Sequence, residues 1–376
     1  EVRPGYKWTE VGVIPEDWGV KRLLSLVHSH NSGIYKKREI YGQGCNIIGV
    51  SNLYGINEVD GQMFARVPLS QQERAKHTLQ HNDLLYGESS LVREGIAKTV
   101  YVTEKGAGTV FAWHTRRYSV DQCEVLSSLL CYYLQSRPAR KHMLDNSIQT
   151  AITGINTVAY FACPVVVPPL PEQRAIATVL SDVDALITAL DKLIAKKRAI
   201  KQAAMQQLLT GRTRLPGFSG EWERCQLGDM ASVRKERIDP KGIDGGPFCV
   251  ELEHIEQNTG RLLSSISATE VSSLKAQFRP ADVLFGRLRP YLRKYWLADR
   301  DGLCSTEIWP LVVDPSVVVP DYLFQIVQTD DFIGLANTAY GTHMPRADWD
   351  VVRQYSVALP PLPEQRAIAA VLSDMD

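Results

Sequence analysis

The chain has 376 residues, with 42 basic and 42 acidic side chains and a hydrophobic share of 44%, enough for two or three domains that each bury a core. Balanced charge gives no global electrostatic case for binding a polyanion, and no apolar run reaches the ~18–20 residues that a membrane span needs. Seven cysteines without a C-x-x-C pair argue against a disulfide scaffold or a zinc ribbon and fit reduced cytosolic thiols.

Taken in chain order, the first residues, Glu1–Gly12, carry no apolar signal core, and the lack of an initiator Met is consistent with a trimmed chain. Pro15-Glu16-Asp17-Trp18 followed by Leu23 opens a first module. Short apolar segments such as Cys45–Val50 and Lys98–Val102 have strand character, with turn signals such as Asp60-Gly61 between them. A helical pattern follows at Ser127–Gln135, and an apolar strand, Cys163–Val167, closes the module.

The stretch PPLPEQRAIATVLSD, Pro168 to Asp182, then opens a helix. Pro171 fits its first turn and Glu172 suits its positive end. Apolar residues recur at heptad spacing: Ile176, Val183 and Leu190 continue through Lys197 and Ala204, beside Val179, Leu186, Leu193 and Ile200. That is a seam for another helix, with Lys197 placed to fix register. From Glu172 to Leu209 the helix spans ~57 Å at ~1.5 Å per residue. Gly211 supplies the stop and Pro216-Gly217 a linker. Between Lys192 and Arg214 every charged residue is basic.

Ser219-Gly220-Glu221-Trp222 followed by Leu227 then repeats the entrance. The second module has its own strand signal at Val283–Phe285, a helical pattern at Tyr322–Val327 and a closing strand at Tyr355–Leu359. The helix start returns 192 residues after its first copy as PPLPEQRAIAAVLSD, Pro360 to Asp374, with one of fifteen positions changed, Thr178 against Ala370. The chain is therefore built twice. The expected fold is α+β: two similar mixed modules, residues 1–170 and 211–362, separated by a long helix over 171–210 that pairs antiparallel with a short distal helix over 363–376. The distal copy is too short to cover the seam from Ile176 to Ile194, so either the polypeptide continues or another chain covers it.

The doubled PPLPEQ helix start, the W-x-x-x-x-L entrances and the long coil between two variable modules resemble the specificity subunit of Type I restriction–modification systems, over essentially the whole chain. The segment Gly286-Arg287-Leu288-Arg289-Pro290-Tyr291-Leu292-Arg293-Lys294, with Ser305-Thr306-Glu307 after it, resembles a segment of such recognition domains. The first module reads Tyr86-Gly87-Glu88-Ser89-Ser90-Leu91-Val92-Arg93 at that place and lacks the Arg-x-Arg-Pro core. The resemblance implies a non-catalytic protein of the prokaryotic cytoplasm. Each of its two domains would read half of a split site in double-stranded DNA. Its helices would set the gap and bind two methyltransferase subunits carrying S-adenosylmethionine, joined in some assemblies by a restriction subunit using ATP and Mg.

On that reading Arg287, Arg289, Arg293 and Lys294 are candidates for phosphate or guanine, with Tyr291 placed to stack. Arg93, Lys98, Arg116 and Arg117 are the cationic candidates of the first module. Gln149 and Thr150 lie in a polar loop before its closing strand, and His343 lies in the equivalent loop of the second. Ile176, Val179, Val183, Leu186, Leu190, Leu193 and Ile200 are the candidate subunit-pairing face. Glu88 and Glu307 either accept from cytosine or hold an arginine. No metal-ligand spacing, phosphate loop or adenine-methyltransferase tetrapeptide is present in the sequence. Two other classes stay open: an enzyme with an unrecognised site, and a coiled-coil adaptor without DNA specificity.

Overall fold

In a computed structural model, residues 2–240, 246–267, 273–338 and 344–375 are described. They form two compact units, Glu1–Ala189 and Leu190–Asp376, with mixed sheets and helices in each. The α+β class expected from the sequence is what the chain adopts.

In the first unit, β1 (Gly19–Arg22) enters beside the last strand. The main sheet is built from β2 (Val27–Ser32), β3 (Leu84–Gly87), β4 (Thr99–Val102) and β5 (Thr115–Val120), in the order β2-β5-β3-β4, with the short strand Glu58–Val59 at the far edge. Helices α1 (Ser127–Gln135) and α2 (Arg137–Asp145) follow, the second with proline in its first turn. The closing strand β6 (Pro164–Val167) pairs antiparallel with β1, so the two ends of the module are tied together. The core is aromatic. Tyr86 and Tyr160 stack at 3.5 Å, and the Tyr160 hydroxyl, deep inside, meets those of Thr99 at 2.8 Å and Tyr118 at 3.0 Å.

The helix α3 (Leu170–Leu208) is continuous over 39 residues, starting two residues before Glu172. Proline at its second position costs nothing, because that N–H has no intrahelical acceptor. Gly211 ends it at φ +70°. An added Cβ there would come within 3.3 Å of the Trp222 ring, so both conformation and space call for glycine.

The second unit repeats the plan. β7 (Glu223–Gln226) pairs antiparallel with the closing strand β12 (Ser356–Leu359), as β1 does with β6. The sheet of β8 (Ala231–Val233), β9 (Val283–Gly286), β10 (Tyr295–Leu297) and β11 (Ile308–Val313) has the order β8-β11-β9-β10, matching β2-β5-β3-β4. Helices α4 (Pro320–Ile326) and α5 (Asp330–Ala336) take the places of α1 and α2. The distal helix α6 (Leu362–Ser373) buries Ile368, Ala369 and Leu372 in the same core that takes Met205, Leu208 and Leu209 from the end of α3. Its first turn meets Arg214, just past the end of α3, while Asp374 and Met375 line a cavity together with Leu193, Lys197 and Gln202 of α3. Within this unit the two helices therefore run in opposite senses.

The repeated PEQ is a clamp. Gln173 is fully buried. Its Oε1 accepts from Leu126 N–H at 2.9 Å, at the start of α1, and its Nε2 donates to the Glu124 and Pro168 carbonyls at 2.8 Å each. Gln365 does the same in the second unit. It accepts from Val319 N–H at 2.9 Å, at the start of α4, and donates to the Val317 and Pro360 carbonyls at 2.9 and 2.8 Å. The glutamates receive the entrance tryptophans. Trp18 Nε1 donates to Glu172 at 2.9 Å, and Trp222 Nε1 to Glu364 at 3.2 Å. Glu364 is buried and also takes a two-pronged Arg214, so it does more than complement a helix end. One short motif thus joins module entrance, module helix and outgoing helix.

Replacing Gln173 or Gln365 by Leu strands one buried N–H and two carbonyls. Each change is expected to cost about 1–3 kcal/mol, read calorimetrically as a drop of about 2–4 °C per kcal/mol in the transition of the affected unit. An unmoved transition would show that the clamp contributes nothing.

Candidate nucleic-acid interface

The fold decides which cations are free. Lys98 and Lys294 occupy the same register, because the carbonyl of each accepts from a strand-end glycine, Gly87 at 3.1 Å and Gly286 at 2.8 Å. Both ammonium groups are used internally. Lys98 Nζ donates to Asn57 at 2.8 Å and Gln135 at 2.9 Å, and burial pushes its pKa down; Lys294 Nζ donates to the Leu252 carbonyl at 2.6 Å. Arg117 Nε bonds Asp83 at 2.8 Å, and Asp83 also accepts from Gln80 N–H at 2.6 Å in the turn before β3. Burial raises the Asp83 carboxyl pKa against the pull of Arg117. Asp282 plays the same part before β9. It accepts from Arg279 N–H at 2.9 Å and pairs with Arg234. Arg293 pairs with Asp330 on α5 and donates to the Gln328 carbonyl at 3.3 Å. These groups hold the framework.

The segment after β3 and β9 is different. Glu88 and Arg287 share one backbone position. Glu88 N–H donates to the His114 carbonyl at 2.8 Å and its own carbonyl accepts from Ile155 at 3.1 Å; Arg287 does the same with Glu307 at 2.9 Å and Ala347 at 2.8 Å. The residues beside them on the next strand also correspond, Arg116 facing Tyr86 and Trp309 facing Phe285. In the first module Arg116 Nε closes on Glu88 at 2.8 Å, and its Nη1 lies 3.3 Å from His30 Nδ1. In the second, the Arg287 guanidinium lies over the Trp309 ring, 5.5 Å from its centroid, and its buried Nε has no hydrogen-bond partner.

Arg289 follows with the same feature: its buried Nε is unpaired, and no carboxylate among the described residues pairs with either arginine. Arg289 (φ +50°) and Arg293 (φ +49°) are both left-handed, on either side of the turn Pro290–Leu292. Strain of this kind, about 1–3 kcal/mol each, persists where the surroundings over-determine the backbone. Here the Arg289 N–H is held by the Pro345 carbonyl at 2.8 Å. Tyr291, at the turn, is exposed. Glu307, a neighbour in register, holds Arg346 through both carboxylate oxygens, at 2.9–3.0 Å.

Of the other predicted residues, Arg93 is exposed in the short turn Arg93–Gly95. Gln149 lies in the strand Ile148–Gln149, and the Thr150 hydroxyl donates to the Ile152 carbonyl at 3.0 Å. That small hairpin pairs with Ser89–Ser90, which brings Gln149 and Thr150 next to the Glu88 segment. His343 lies outside the described residues. Arg346 and Trp309 were not singled out from sequence; they come into play only through strand register. Among the described residues no cluster of His, Cys, Asp and Glu is placed to hold a metal ion, and no helix is long and apolar enough to cross a membrane.

The helical seam lies on α3. Val179, Val183, Leu186, Leu190, Leu193 and Ile200 are 48–61% exposed, and Ile176 is half-buried. Ala177 at one end and Met205, Leu208 and Leu209 at the other are buried.

A family model described as "Type I restriction modification DNA specificity domain" matches residues 15–202. The chain is similar to the Type I restriction enzyme EcoDI specificity subunit of Escherichia coli, 30% identical over 181 residues, 46% of this chain and 37% of that one. It is also similar to the putative type I restriction enzyme MjaX specificity subunit of Methanocaldococcus jannaschii, 24% identical over 237 residues, 60% of this chain and 55% of that one. The chain thus spans about half the length, or less, of these curated relatives. Among solved structures, the Type-I restriction-modification system S subunit from M. genitalium has a TM-score of 0.57 at 12% identity, covering 96% of this chain and 89% of that one, a likeness of fold.

Framework and free cations separate on substitution. Lys294→Met strands the Leu252 carbonyl and is expected to lower stability by about 1–2 kcal/mol, whereas Arg93→Ala is expected to stay within about 0.5 kcal/mol of the parent. Urea midpoints of the two variants check the contrast, and equal midpoints would refute it.

Proposed function

The chain belongs to the family of Type I restriction–modification DNA specificity proteins, and from that premise we propose that it is the DNA-reading, non-catalytic member of such a complex. Residues 1–170 and 211–362 each read one half of a split site in double-stranded DNA. The helical segments, 171–210 and the start of the distal helix at 363–376, set the gap and dock two methyltransferase subunits. Chemistry belongs to the partners: S-adenosylmethionine with the methyltransferase, ATP and Mg with a restriction subunit where one joins. The site of action is the prokaryotic cytoplasm.

One observation carries this reading. Two modules of a single sheet order present unlike residues at one register, Glu88 with Arg116 against Arg287 with Trp309. Two readers of unlike half-sites need such a difference on a common frame. Arg287 and Arg289 suit guanine, whose O6 and N7 accept a two-pronged arginine worth about 1–3 kcal/mol of discrimination. Arg93 suits a phosphate, which positions without specifying. The exposed seam of α3 supports docking, since an apolar stripe of this length seeks a mate. Self-association and methyltransferase docking are its two candidate uses.

Methylome sequencing of cells expressing the chain with its neighbouring methyltransferase is expected to give a two-part motif with a constant gap. Inserting one or two helical turns after Leu190, with matching turns in the partner helix, is expected to lengthen that gap. A one-part motif, or a gap indifferent to the insertion, would overturn the proposal. Purified chain supplied with S-adenosylmethionine alone is expected to transfer no methyl group; transfer would favour an enzyme. Without the methyltransferase, light scattering across micromolar concentrations is expected to show mass rising with concentration, and a clean monomer would count against self-association through the seam.

A further inference from the structure

Beyond Glu88 the first module carries two serines and then an apolar pair, whereas the second carries Arg289. Ser89 and Ser90 pair with Gly154 and Thr153, while Leu288 bridges Arg346 and Arg289 N–H bonds the Pro345 carbonyl. Ser90 therefore stands where Arg289 stands. The next residues are Leu91 and Val92, 86% and 62% exposed. Continuing the register sets Leu91 opposite Ile152, itself 49% exposed, and the same small sheet carries the exposed Ile148. An exposed leucine and valine in sequence, with an isoleucine across from them, is costly in water unless something covers it.

The equivalent tip of the second module indicates what covers it. In the second module this tip carries the guanidinium groups of Arg287 and Arg289, with no carboxylate to neutralise them among the described residues. In the first, the Glu88 carboxylate is spent on Arg116, and Arg93, itself followed by Glu94, comes immediately after the apolar pair. A tip that offers carbon rather than N–H matches the one apolar mark on base edges in the major groove, the thymine C5-methyl.

Resting on the function proposed above, we infer that the first module reads its half-site through thymine methyl groups, by contact with Leu91 and Val92 supported by Ile152, while the second reads guanine through arginine. Leu91 and Val92 are specificity residues under this assignment, and the Glu88–Arg116 pair positions the segment that carries them. It follows that the two half-sites differ in kind: one depends on methyl groups, the other on the guanine N7 and O6 acceptors.

The test uses the chain assembled with its methyltransferase and duplexes carrying the site found by methylome sequencing. The half belonging to the second module is the one whose recognition falls in Arg287→Ala. Replacing thymine by deoxyuridine in the other half removes only methyl groups. It is expected to weaken binding roughly fourfold per methyl contacted, the equivalent of ~0.8 kcal/mol. The same replacement in the arginine-read half is expected to change nothing, while 7-deazaguanine there weakens binding. Leu91→Ser with Val92→Ser, on an exposed turn where folding is not at stake, is expected to weaken binding to the thymine duplex and abolish its preference over deoxyuridine.

Indifference to deoxyuridine in the first module's half, or a half without thymine, overturns the assignment. So does a double variant that keeps its thymine preference but loses the methyltransferase, which would make the patch a protein-docking surface. A complex with no sequence-specific DNA binding at all would instead remove the function on which the inference stands.

Discussion

The interaction on which the rest depends is the buried glutamine at the start of each outgoing helix. Its amide makes three hydrogen bonds, one to a helix-starting N–H and two to carbonyls, and it is shut away from water in both units. Buried amides left unpaired are costly, so these bonds hold the helix start in place. The adjacent glutamate adds the entrance tryptophan, which ties the first residues of a module to its last. That accounts for the identity of the PPLPEQ stretch in the two copies while most of the modules diverge. The motif is a junction, and a junction tolerates little variation.

With the junction fixed, the modules are free to differ elsewhere. The sheet order is shared, and the same aspartate turn braced by an arginine precedes the same central strand. Yet the arginines come from different places, Arg117 from β5 and Arg234 from the segment after β8, so the brace is kept by geometry rather than by sequence position. At the strand end beyond it, a carboxylate satisfied by an arginine is replaced by an arginine over an indole. Backbone hydrogen bonds on either side are the same, which lets side-chain chemistry change without disturbing the frame.

The helix α3 follows a different logic. Its ends are held, by Gln173 and Ala177 at one and by Met205, Leu208 and Leu209 at the other, while the heptad stripe between them meets water. Intrahelical hydrogen bonds alone leave such a stripe poorly compensated. Cations cluster along an overlapping stretch, Lys192 to Arg214, with no acidic residue among them.

The sequence by itself determined the large plan. A fifteen-residue repeat, Pro15–Trp18 and Ser219–Trp222 at the entrances, and heptad spacing over one stretch led to two modules and one long helix, because periodicity and proline placement act locally and leave marks in linear order. The helix at Ser127–Gln135 and the closing strands were legible for the same reason. Tertiary structure alone decided what each charged residue is for. Lys98 and Lys294 looked like free cations and are internal donors; Arg287 and Arg289 looked no different and have unpaired buried Nε atoms. Trp309 and Arg346 gave no signal until strand register put them beside Arg287 and Glu307. A hydrogen bond is made across space at about 3 Å, and residues brought that close can lie more than a hundred positions apart in the chain, as Trp18 and Glu172 do.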